Sequence, residues 1–106
     1  MKLLDEAERL APELTGNAYY RGVSLLALHR YEEAIKDFGT SIEQDFLTQF
    51  CYYNRGVCYV QMHDYEKAAQ DMEMTLTNGQ DEGLMEAARE IILQIEEYNK
   101  SSEEKP

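Results

Sequence analysis

The feature that most limits this chain is a repeat of 34 residues. Residues 15–48 set beneath residues 49–82 without a gap agree at nine positions: Tyr19/Tyr53, Arg21/Arg55, Gly22/Gly56, Val23/Val57, His29/His63, Tyr31/Tyr65, Glu32/Glu66, Ala34/Ala68 and Asp37/Asp71. Chance agreement at this composition is roughly two, so the period is a real internal repeat. Such a period marks an array of paired helices in which no unit buries its own apolar face. The pattern predicts a scaffold that offers a surface, not an enzyme.

The punctuation places the helices. The first runs to about Ala11 and stops near Pro12, and Thr15, Gly16 and Asn17 form the turn, with Asn17 as N-cap. Helices are expected over residues 17–28 and 31–45, joined at His29-Arg30. Two more follow over 48–62 and 65–77, joined at His63-Asp64, with Asp64 as cap. Asn78-Gly79 is a strong stop. A last helix is expected over 82–98 with Asp81 as cap, and the polar tail from residue 100 to Pro106 as disorder.

The stretch YYNRGVCYVQMHDYEKAAQD resembles the tetratricopeptide repeat family through Tyr52, Gly56, Tyr59, Tyr65 and Ala68. Ala18, Gly22, Leu25, Tyr31, Ala34 and Phe38 match it in the earlier unit. The departures are Ala18, where an aromatic is usual, Ser41 and Thr75 in place of Ala, and Phe46 and Gln80 in place of the closing Pro. The resemblance implies an all-α fold: an antiparallel helix-hairpin solenoid of about five helices wound as a right-handed superhelix. Two full repeats cover 15–48 and 49–82, and a capping helix covers 83–99. Residues 1–14 resemble the second helix of a preceding partial repeat, with Leu4, Ala7 and Pro12 in register. That segment is expected to continue a longer solenoid or to serve as an N-terminal cap.

Composition agrees with one small helical domain. A chain of 106 residues has room for a single core. No run approaches the roughly 20 apolar residues of a membrane span. The start, MKLLDEAERLAPE, carries acids where a secretory signal needs an unbroken apolar stretch. Cys51 and Cys58 lie seven apart on one helix, placing their Cα atoms about 10 Å apart, too far to bridge. Small apolar packers of this kind suit a reducing, cytoplasmic location.

No residue set announces chemistry. His29 and His63 lack the further ligands that a metal site requires, and at the turn between helices they suit left-handed backbone geometry. The acid pairs Glu32-Glu33, Glu96-Glu97 and Glu103-Glu104 fit solvated helix faces or tail. There is no nucleophile with a base, no phosphate-cradling loop and no HExxH. The expectation is no catalytic residue, no cofactor and no metal. Arg21, Arg55 and Arg89 stand at 34-residue steps, and in so acidic a chain they are expected to pair with acids on neighbouring helices.

In the family resembled, the first helices of successive repeats line a concave surface. Carried over by position, this gives Tyr19, Val23, Leu26 and Ala27, then Phe50, Tyr53, Asn54, Val57, Val60 and Gln61. The last helix contributes Leu84, Ala87, Ile91, Gln94 and Ile95. Spacing supports the set independently, because Tyr19, Val23 and Leu26, like Phe50, Tyr53, Val57 and Val60, follow steps of three and four. Gly22, Leu25, Gly56 and Tyr59 already give each first helix a face toward its own partner, so a second apolar stripe is surplus.

One branch of the family grips an acidic C-terminal peptide with a clamp of Lys and Asn. Here only Asn54 falls on a clamp position, against Tyr19, Val23, Leu84 and Ala88 at the others. A peptide with apolar anchors fits better, its backbone meeting Asn54 and Gln61. The net charge of −11 favours basic flanks and disfavours nucleic acid. A rival role is self-association into a homodimer, through the open edge of the array or the last helix. In that helix Leu84, Ala88, Ile91, Ile95 and Tyr98 step as in a coiled coil, with Met85 and Ile92 widening the stripe.

Overall fold

A computed structural model of the protein describes residues 16–104. The expected helix and turn within residues 1–15, and Lys105 and Pro106, lie outside the described residues. Five helices and no strand occur among the described residues: α1 (Asn17–Ala27), α2 (Tyr31–Glu43), α3 (Thr48–Gln61), α4 (Tyr65–Thr77) and α5 (Glu82–Glu104). No helix there is long and apolar enough to cross a membrane.

Short turns stop the helices, and the turns share one design. At the end of α1, Arg30 N–H reaches Leu25 O (2.9 Å) and His29 N–H reaches Leu26 O (3.0 Å). At the end of α3, Asp64 N–H reaches Tyr59 O (2.9 Å) and His63 N–H reaches Val60 O (3.0 Å). Phe46 and Asp45 close α2 the same way, onto Ser41 O and Ile42 O. This is the Schellman arrangement, which needs a left-handed residue one past the cap. His29, His63 and Asp45 supply it with φ of 61°, 63° and 55°. The histidines thus sit where the repeat placed them. The same closure ends α2 at Glu43, two residues before the expected Asp45.

Caps account for the starts. Asp64 Oδ1 accepts from Lys67 N–H (3.2 Å), and Asp81 Oδ1 accepts from Leu84 N–H (2.9 Å). Asn17 is not the cap expected of it: it is the first helical residue, after Gly16 at φ 106°. The last helix also departs from expectation, continuing from Tyr98 to Glu104. Between those residues the chain offers no Gly or Pro to break it, and Glu96 stands four before Lys100, the favourable order for an exposed pair.

Each of α1–α4 packs on its neighbour in sequence, giving the hairpins α1–α2 and α3–α4, and α5 packs on α4. Within each hairpin a glycine allows the close approach. A Cβ on Gly22 would lie 2.9 Å from the Phe38 ring, and one on Gly56 would lie 2.8 Å from Met72 Cε. The sequence pointed to Ala34 and Ala68 as the matching surface. Both are wholly buried, but the side chains facing the glycines are Phe38 and Met72, four residues further on.

Candidate functional site

The helices do not stack evenly. α1 touches α3 and α3 touches α5, whereas α2 and α4 do not approach each other. First helices that meet while second helices stay apart place α1, α3 and α5 side by side as one wall of the stack.

The wall is free of acid along α1 and α3, whose sequences NAYYRGVSLLA and TQFCYYNRGVCYVQ contain neither Asp nor Glu. Their only formal charges are Arg21 and Arg55, and both are spent on the hairpins. Arg21 Nε and Nη2 donate to Asp37 Oδ2 and Oδ1 at 2.7 and 2.6 Å, and Arg55 repeats the fork on Asp71 at 2.8 and 2.9 Å. The bond to Asp71 leads the causes that push the Arg55 guanidinium pKa further up. The expected arginine pairing is therefore present in two of three positions. Among the described residues no ion pair engages Arg89, and the sequence has Lys105, not an acid, sixteen positions further on.

On this wall Tyr19, Leu26, Phe50, Tyr53, Asn54, Val57, Val60 and Ile91 are half-buried, and Val23 and Gln61 are exposed. Tyr19 and Leu26 also pack against the core formed by Leu25, Ala34, Phe38, Cys51 and Cys58. Burial pushes the Tyr19 phenol pKa up, with Cys51 adding to the shift and a hydrogen bond with the Asn54 side chain taking part of it back. Ile95, expected on the open wall, is only 6% exposed and belongs to the core.

The α5 stripe divides. Ala88 and Ile95 are buried against the preceding hairpin, Leu84, Met85, Ile91 and Ile92 are half-buried, and Tyr98 is exposed. The outward side of α5 carries Glu86 and Glu90 at the positions of Ala18/Tyr52 and Gly22/Gly56. A glutamate in place of the close-approach glycine gives a following helix nowhere to pack closely. Leu93, in the register of buried Leu25, is accordingly 59% exposed.

Two features escaped the reading of the residues. Tyr20, 56% exposed, shares the register of Asn54, and its ring stands 5.2 Å from that of Tyr19. The 34-residue step from Asn54 was the signal that identifies it. The second is a cavity of about 240 Å³ where α3, α4 and α5 meet, lined by Val60, Tyr65, Ile91, Gln94, Ile95 and Tyr98. Tyr65 is held there by its hydroxyl, 2.8 Å from His63 Nδ1, and its ring lies 4.9 Å from that of Tyr98. No pattern in the sequence foretells this cavity, because its walls come from three helices.

No family model matches this chain, and no curated protein or solved structure matches it significantly.

Proposed function

We propose that this protein is a tetratricopeptide-like interaction module that holds a peptide segment with apolar anchors against its inner wall and performs no chemistry of its own. The observation that carries the reading is the surplus stripe. After Ala18, Gly22, Leu25, Cys51, Gly56 and Cys58 are buried, α1 and α3 still present Val23, Tyr53, Val57 and Val60 half-open to solvent. Apolar side chains aligned on a concave wall that carries no acid along α1 and α3 lower their free energy by covering one another or a guest. Among the described residues acid is confined to α2, α4, α5 and the turns, which repels nucleic acid and favours a guest with basic flanks.

The test is capture of a partner from cell lysate by the wild type and by a Tyr53→Ala, Val57→Asp double variant. Neither residue is fully buried, so the variant is expected to keep its helical circular dichroism and lose the partner. Equal capture by both proteins would refute the groove.

A further inference from the structure

We infer that the preferred guest is an extended peptide carrying a Lys or Arg about three residues from one bulky apolar side chain. This rests on the groove reading above and specifies its ligand. The cavity beside Tyr98 has room for one such side chain, since about 150 Å³ of apolar space already accommodates a benzene ring. Val60, Ile91 and Ile95 form its apolar part, and the rings of Tyr65 and Tyr98 wall it. The bond from Tyr65 to His63 holds one wall in place before any guest arrives.

The repeat shows what stands one step back along the wall. Thirty-four residues earlier, the positions of Val60, Tyr65, Ile91, Gln94, Ile95 and Tyr98 are filled by Leu26, Tyr31, Val57, Val60, Gln61 and Asp64. Leu26 and Tyr31 are packed on the core there, and a carboxylate takes the place of the Tyr98 ring. The Asp64 side chain is 40% exposed, and its one cationic neighbour, Lys67 Nζ, stands off at 4.0 Å. Asp64 Oδ1 is engaged by Lys67 N–H as the cap of α4, and an exposed pair at 4.0 Å leaves Oδ2 open to a cation. α1 and α3 carry no acid of their own, so at their junction with α2 the turn residue Asp64 is the wall's carboxylate and favours a cation there.

Adjacent packed helices stand about 10 Å apart, and an extended peptide advances about 3.3 Å per residue. A guest crossing from one junction to the next therefore spans about three residues, with its cation at Asp64 and its apolar side chain in the cavity.

The experiment measures fluorescence anisotropy with short labelled peptides holding Lys and Phe three residues apart in a Ser/Ala background, against versions with Glu for Lys or Ala for Phe. Each change is expected to weaken binding about tenfold. Tyr98→Ala should remove the preference for Phe. Asp64→Asn, which keeps the helix cap, should remove the preference for Lys and leave that for Phe. No binding of the Lys/Phe peptide, equal binding of the Glu version, or indifference to Tyr98→Ala would each overturn the inference. Lysate capture separates the two levels. Loss in the Tyr53/Val57 variant alongside such peptide results leaves the groove standing and this ligand refuted, whereas retention there refutes both.

Discussion

Gly22 lies against the ring of Phe38 so closely that an added Cβ would meet the ring at 2.9 Å. The ring has no exposed edge, because Phe38 is wholly buried. Gly22→Ala must therefore shift a rigid side chain or the helix that bears it. The equivalent Gly56 faces the terminal methyl of Met72 at 2.8 Å and Asp71 Cβ at 3.2 Å; the thioether turns aside more readily than a ring, while Asp71 Cβ must give by a few tenths of an ångström. Gly22→Ala is expected to destabilise by about 1–2 kcal/mol through overpacking. Gly56→Ala should cost less, about 0.5–1 kcal/mol, since the helix propensity gained offsets part of the displacement. Urea unfolding of both variants checks this, and a larger loss at Gly56 would contradict the distinction.

The forked pair of Arg55 and Asp71 joins α3 to α4 with Asp71 almost fully buried. Removing one member strands the other charge, so Arg55→Met should cost about 3 kcal/mol. Replacing both, as Arg55→Met with Asp71→Leu, should recover most of that loss. A double variant no more stable than the single one would show that packing, not charge, dominates the site.

Gln49 ties three elements together: its amide N–H donates to Thr75 O (3.0 Å), and its Oε1 accepts from Asp81 N–H (3.2 Å). Gly79 permits this with φ of 115°, and a Cβ there would come within 2.5 Å of Gln49 Oε1. Gly79→Ala is expected to cost about 2 kcal/mol or more, combining an unfavourable φ with the collision. Amide exchange should quicken first in α5, which this bridge anchors. Uniform quickening throughout α1–α5 would argue against a local clamp.

Burial, reinforced by the charge of Asp71, pushes the Cys58 thiol pKa up from 9.0 to about 11. Between those values the unfolded chain has released the proton and the folded chain keeps it. Unfolding is then favoured as the proton is lost, so stability present below pH 9 falls as the pH rises toward 11. The contribution is on the order of 2–3 kcal/mol. Denaturant midpoints measured from pH 8 to 11 should fall more steeply for wild type than for Cys58→Ala, and parallel slopes would exclude the thiol as the cause.

The repeat made much of this legible, because helix spacing and turn geometry are local. His29 and His63 declared their left-handed turns by recurring where a helix must stop, and Asp64 and Asp81 declared their caps by standing just before an apolar run. Tyr53, Val57 and Val60 declared a second stripe because steps of three and four return to one side of a helix. Arg21 and Asp37 were visible as repeated residues, but not as partners, since a separation of sixteen carries no local meaning.

What the amino-acid order determined alone was therefore the helices, their stops and the faces they own. Tertiary packing decided which faces remain open: it drew Ile95 inward, set Tyr19 and Leu26 against the core, and formed a cavity from three helices at Tyr98. The reason is physical. Periodicity assigns a side chain to one side of its own helix, while exposure depends on how near the next helix comes, and that distance is set by Phe38 and Met72 against Gly22 and Gly56.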